Sequence, residues 1–239
     1  MRKLLGVMAS CACLLSVPAL AAEGGSKGQV FELKGPEDKP IALFSKDVQK
    51  KEGLTVSTSV YTDPAGKELV REVTELEKAG DKDRVKSYKI SQKQLGAEGV
   101  VEVKEGKAHF SYTRDGKTKT SQESVGEDFI VGPFIVDYIQ RYWSEISGGK
   151  KIKARLAVPD RQETVGFEYT REGEEDVNGQ KTVVVKMKPS SIIISALVDP
   201  LRFYFTPDGK RLIQMRGRTQ VKRQDGSKFK DMDAKTNYD

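Results

Sequence analysis

The stretch IKARLAVPDRQETVGFEY, residues 152–169, decides the fold class because apolar and polar residues alternate in both of its halves. Ile152, Leu156 and Val158 share one face of the first half, and Val165, Phe167 and Tyr169 share one face of the second. Side chains of an extended strand point alternately to opposite faces, so each half predicts a strand with one face on a core and one in water. The same alternation returns at Leu201, Phe203 and Phe205, with Arg202, Tyr204 and Thr206 on the other face.

Turn sequences recur between such stretches, which indicates repeated hairpins. They are Asp63-Pro64-Ala65-Gly66, Glu105-Gly106, Arg114-Asp115-Gly116, Asn178-Gly179, Pro207-Asp208-Gly209 and Asp225-Gly226. We therefore expect a mainly β (α+β) fold, a curved antiparallel sheet or half-barrel of hairpins that embraces one main amphipathic helix.

That helix is predicted from Pro133 to Ile146, where apolar residues recur at helical spacing before Gly148-Gly149. Its aromatic residues are Phe134, Tyr138, Tyr142 and Trp143. They are candidate ligand-binding residues that could line an apolar cavity, or they form the face that packs on the sheet. Two other segments stay ambiguous between helix and strand, namely Leu69–Leu76 and Ser191–Val198.

A basic stripe is predicted on the strand from Leu212 to Arg223. Alternation places Ile213, Met215, Thr219 and Val221 on one face, and Arg216, Arg218 and Lys222 on the other. The three cations are candidate contacts to an anionic lipid surface, and a solvated sheet face explains them equally.

The chain begins like a secretory precursor. Arg2 and Lys3 precede an apolar run from Leu4 to Val17, and Ala19-Leu20-Ala21 suits signal peptidase. We expect residues 1–21 to be removed and residues 22–239 to form a single β-rich domain in the periplasm, with no transmembrane segment. Both cysteines, Cys11 and Cys13, would leave with the signal. The alternative is a lipoprotein whose lipid is attached to Cys11.

The amino-acid composition limits the kinds of partner that the chain is expected to bind. Hydrophobic residues make up 37% and charged residues 32% of the 239 residues, which is typical of a globular chain with a core. Loss of Arg2 and Lys3 lowers the formal charge from +6 to +4, too small an excess to predict nucleic-acid binding.

Residues that could carry chemistry are few. His109 is the single histidine, and the strand pattern places it on a polar face. We therefore expect it to be exposed and to take no part in catalysis. Glu174, Asp176, Asn178 and Gly179 match the opening of a calcium loop, but Val185 stands where the closing glutamate should be. We therefore predict no catalytic residue, no metal and no cofactor.

The stretch from Val131 to Gly217, through VGPFIVDYIQRYW, AVPDRQETVGFEY and PLRFYFTPDGKRLIQMRG, resembles uncharacterised exported bacterial proteins of the lipoprotein-carrier-like half-barrel fold. The resemblance implies an apolar cavity between sheet and helix that shields acyl chains. The resulting expectation is a periplasmic, non-enzymatic protein that binds a hydrophobic or lipid-like ligand or an envelope partner. The alternatives are a structural or interaction module without a cavity, and a hydrolase with an unrecognised carboxylate pair.

Overall fold

The computed structural model describes residues 25–36, 38–196 and 198–239. The first strands are β1 (Ser26–Glu32), β2 (Ala42–Lys51), β3 (Leu54–Thr62), β4 (Glu68–Ala79), β5 (Lys82–Gln92), β6 (Ala97–Lys104), β7 (Lys107–Arg114), β8 (Lys117–Ser124) and β9 (Phe129–Ile130). The later strands are β10 (Ile152–Val158), β11 (Glu163–Val177), β12 (Gln180–Pro189), β13 (Leu201–Phe205), β14 (Leu212–Arg218), β15 (Arg223–Asp225), β16 (Lys228–Lys230) and β17 (Asp233–Tyr238). The predicted signal segment and its cysteines lie outside the described residues.

In the described part of the chain, fifteen strands form one sheet in the order β8-β7-β6-β5-β4-β3-β2-β1-β17-β14-β13-β12-β11-β10-β9. The first eight strands are a continuous meander, and β1 then pairs with β17, so the first and last strands meet in the middle of the sheet. All neighbours are antiparallel except β9 and β10. This confirms the predicted mainly β fold built on a curved antiparallel sheet.

The sheet curls until its two edges approach each other. Strands β8 and β9 are at opposite ends of the order, yet residues 125–128 alone connect them. Those four residues span less than about 20 Å even when extended, whereas fifteen flat strands would measure about 65 Å. Ser121 Oγ donates to Gln162 O, and Thr164 N donates to Glu123 Oε1 at 2.9 Å, so the β10–β11 turn contacts β8 directly.

The six predicted turns all join neighbouring strands. Asn178 and Gly179 have φ of 54° and 79°, and Asp115 and Gly116 have 52° and 71°. Positive φ at both central residues is the backbone that matches the twist of a two-residue hairpin, which confirms the turn prediction. Asp176 Oδ1 accepts a hydrogen bond from Gly179 N at 2.7 Å. The residues that match the opening of a calcium loop therefore form this hairpin turn.

The predicted helix is present but divided. A 3-10 turn (Gly132–Phe134) leads into α1 (Ile135–Arg141), and α2 (Trp143–Ser147) follows after a break at Tyr142. Tyr142 has φ −105° and ψ 23°, outside the α-helical region, so the regular helix is interrupted there. We call residues 132–147 the helical segment. Of the two ambiguous stretches, Leu69–Leu76 lies in β4 and α3 (Ile192–Ser195) lies in Ser191–Val198.

One large apolar cluster extends from Val30 to Ala234 and includes the buried side of the helical segment. Two alternation predictions are wrong. Tyr204, placed on the polar face, is only 1% exposed and packs with Val177 and Val184 on the outer side of the sheet. Ile213 joins them there and does not share a face with Met215, because a bulge between β13 and β14 shifts the alternation. None of the helices in the described ranges is long and apolar enough to span a bilayer.

Candidate functional site

The helical segment packs on the inward face of the curled sheet. Phe134 and Tyr138 are buried in the main core. The Tyr138 hydroxyl donates to Lys153 O at 2.7 Å, and its ring centroid lies 4.9 Å from that of Tyr142 and 5.8 Å from that of Tyr169. The first three predicted ligand-binding aromatics therefore form one cluster with side chains of the sheet.

Trp143, the fourth of them, packs on the β13–β14 hairpin. Its ring centroid lies 5.3 Å from that of Phe205, and its indole covers Gly209 so closely that a Cβ there would lie 2.2 Å from a ring atom. Gln140 Nε2 donates to Gly209 O at 3.1 Å and to Lys210 O at 2.8 Å. Trp143, directly after the break at Tyr142, thus packs on Gly209, a position of the hairpin turn that has no side chain.

Beneath the start of the helical segment lies a buried patch of polar residues, which sequence reasoning missed. Val70, Glu72, Thr74 and Leu76 occupy the inward positions of β4, and Glu72 is only 4% exposed. The Tyr88 hydroxyl donates to Glu72 Oε1 at 2.6 Å.

In the register of the sheet, Thr74 is opposite Ser57 of β3 and Tyr88 of β5. Ser57 Oγ and Thr74 Oγ1 are buried without a hydrogen-bond partner among the described residues. We call Ser57, Glu72, Thr74 and Tyr88 the polar patch.

Burial raises the pKa of Glu72 to about 7, although the hydrogen bond from Tyr88 and the charge of Lys46 both act to lower it. Burial also raises the pKa of Tyr88, and the neighbouring Glu72 raises it further. An ionised carboxylate in this place would lose its hydration to a largely apolar interior, which stabilises a charge less well than water does. Glu72 is therefore mostly neutral below pH 7, and near neutral pH both protonation states are populated.

The first turn of the helical segment covers the polar patch. A Cβ at Gly132 would lie 3.4 Å from Glu72 Oε1 and 3.8 Å from the Tyr88 hydroxyl. Lys46 Nζ donates to Pro133 O at 3.4 Å and to Asp137 Oδ2 at 3.2 Å. Lys46 therefore attaches the segment at the point where Glu72 is buried.

The candidate basic stripe is engaged with acids of the same chain. The Arg216 guanidinium lies 4.5 Å from the Tyr204 ring centroid and 3.6 Å from Glu175. Arg218 pairs with Asp231 and Asp233, at 2.9 Å each, and Lys222 pairs with Asp231 at 2.7 Å. Strand β14 ends at Arg218, so Lys222 lies beyond the strand on which it was predicted.

His109 is exposed on β7, as predicted, and lies opposite Glu102 and Gln122. These three residues line a shallow depression of about 620 Å³ on the outer face of β6–β8. A second depression, of about 770 Å³, is lined mainly by outward-facing residues of β2–β4 and by both described ends of the chain. Within the described ranges, no group of three or more His, Cys, Asp or Glu could hold a metal ion.

No protein-family model and no curated protein matches this chain. Among solved structures it is similar to a porin-like protein from Bacteroides uniformis, at 8% identity over 90% of this chain and 96% of that chain, with a TM-score of 0.25. A similarity at this level does not establish a shared fold. The function below is therefore argued from the geometry of the chain itself.

Proposed function

We propose that this protein is a non-enzymatic interaction module of the cell envelope, exported to the periplasm, which binds an envelope partner through its outer surface. In this proposal the aromatic helical segment belongs to the protein core. The observation that carries it is that Phe134, Tyr138, Tyr142 and Trp143 all pack against other side chains of the core. In a carrier, an acyl chain would occupy the space between helix and sheet.

The outer surface supports this proposal in a second way. Both depressions described above, near His109 and near the chain ends, are shallow and lie mainly on outward-facing residues. Open depressions of this kind suit protein contacts better than they suit an apolar small molecule, which needs an enclosing pocket that buries most of its surface.

A carrier of a lipid-like ligand is the second candidate, and the division of the helical segment favours it. Helices α1 and α2 contain seven and five residues, far fewer than the roughly 12–15 that an isolated helix needs in water. The position of the segment therefore depends on packing, and an acyl chain could displace it.

A native mass spectrum of protein purified from its own envelope separates the two candidates. The interaction module predicts the mass of the mature polypeptide without an added lipid. A stoichiometric added mass that tandem fragmentation identifies as a lipid would overturn the proposal in favour of the carrier. Protein purified after expression without its envelope serves as the matched control.

A further inference from the structure

Glu72 lies where the sheet meets the first turn of the helical segment, and groups from several elements surround it. They are Lys46 of β2, Tyr61 of β3, Tyr88 of β5 and Tyr238 of β17, with Asp137 of α1 attached through Lys46 and Asp160 acting on Tyr88. Lys46 is the cation of this set. Among the described residues, Tyr88 donates a hydrogen bond to this carboxyl and Lys46 is its neighbouring positive charge.

Lys46 faces two acids. Its ammonium group donates to Asp137 and to Pro133 O on the helical segment. In the register of the sheet, Lys46 is opposite Ser59, and Ser59 is opposite Glu72, so the three side chains form one inward row across β2, β3 and β4. Two strand spacings are about 10 Å, a distance that a lysine and a glutamate side chain span together. Lys46 can therefore attach the segment or approach Glu72.

We propose that Glu72 and Lys46 form a proton-dependent latch for the helical segment. While Glu72 is neutral, Lys46 holds Asp137 and Pro133 O, and the segment stays docked on the polar patch. When Glu72 loses its proton, Lys46 turns towards the new carboxylate, water enters beneath Gly132, and the first turn of the segment loosens.

Docking and ionisation oppose each other for a physical reason. With the segment in place, Gly132 covers the carboxyl and keeps water away, which disfavours the charged form. Release of the segment returns the carboxylate to water, where its ordinary acidity is restored. The segment is able to move because its helices are short and Gly148 and Gly149 follow them.

The difference in the pKa of Glu72 between the docked and released states sets how strongly release of the segment depends on pH. If the pKa of Glu72 is about 7 in the docked state and 4.5 in the released state, the equilibrium constant for release rises about tenfold from pH 6 to pH 8. The change in the equilibrium constant for release cannot exceed the ratio of the proton affinities of Glu72 in the docked and released states.

Hydrogen exchange followed by mass spectrometry tests the latch on the mature chain. After correction for the intrinsic exchange rate, protection of the amides in the first turn of the segment, residues 134–137, should fall about tenfold from pH 6 to pH 8 in the wild type. In Glu72→Gln, which still accepts the hydrogen bond from Tyr88 and cannot ionise, protection should stay constant. Peptides from β11 and β12 provide the internal control and should change in neither protein.

Lys46→Met gives an independent readout if Glu72→Gln does not fold. It removes the attachment to Asp137, so protection of the segment should already be lower at pH 6, and the loss of the cation should move the remaining transition to higher pH. An equal fall in protection in Glu72→Gln, no fall in the wild type, or a wild-type profile in Lys46→Met would each overturn the latch.

Discussion

The contact between Trp143 and the β13–β14 turn predicts that Gly209→Ala lowers the free energy of unfolding. Gly209 has φ of 73°, and a Cβ built there would lie 2.2 Å from the indole ring of Trp143. The substitution therefore combines an unfavourable backbone conformation with a displacement of the ring from Phe205. Gly179→Ala is the matched control, because Gly179 has φ of 79° in another hairpin turn and its Cβ would contact nothing within 4 Å.

The two costs can be estimated separately. A left-handed backbone costs a residue with a Cβ about 1 kcal/mol or slightly more, which is the whole effect expected for Gly179→Ala. Displacement of Trp143 adds the aromatic pair with Phe205 and part of the burial of the indole, about 2 kcal/mol together. Gly209→Ala should therefore lower the free energy of unfolding by about 3 kcal/mol.

Guanidinium unfolding followed by far-ultraviolet circular dichroism measures both variants, alone and combined with Trp143→Ala. Trp143→Ala by itself should cost about 3 kcal/mol, the lower end for a large aromatic, because the ring is half-buried. In the Trp143→Ala background, Gly209→Ala should cost the same as Gly179→Ala, since no ring remains to clash. Equal costs for the two glycine variants in the wild-type background would refute the packing of Trp143 on this turn.

Three further predictions follow from other parts of the chain. Because the folded state keeps a proton on Glu72 that the unfolded state has lost, the free energy of unfolding should fall by about 3 kcal/mol as pH rises from 4.5 through 7, and denaturant titrations should show this fall reduced in Glu72→Gln. His109→Gln should change stability by only a few tenths of a kcal/mol in the same assay, and a loss above about 2 kcal/mol would contradict its exposure. Intact-mass measurement of exported protein should give an N-terminus at Ala22, whereas retention of Met1 or a lipid on Cys11 would contradict the expected processing.

Sequence reasoning predicted the features that local chemistry determines. Asn178-Gly179 and Asp115-Gly116 indicated their turns because positive φ favours these residue types, and the alternation over residues 152–169 indicated its two strands. The pairing of β1 with β17 and the approach of β8 to β11 depend on contacts between distant residues, and no local pattern contains them.

The buried carboxyl was missed for a related reason. Along Leu69–Leu76 both faces of the strand mix apolar and charged residues, with Arg71 and Glu75 on one face and Glu72 on the other, so alternation could not identify the buried side. Tyr204 was misplaced because alternation assumes one wet face, whereas a second apolar cluster covers the outer face at this point. The helix prediction correctly grouped the aromatics but could not detect the break at Tyr142. This break comes directly before Trp143, which packs against the β13–β14 hairpin.

The central claim of the proposed function is that the helical segment packs on the inward face of the sheet as part of the core and offers no site for an apolar ligand. The most direct test is a titration of the wild-type protein with a fluorescent fatty acid while the emission of Trp143, the single tryptophan, is followed. We predict no saturable binding at micromolar concentration and no change in the emission of Trp143. Saturable binding that shifts this emission would contradict the claim and favour the carrier.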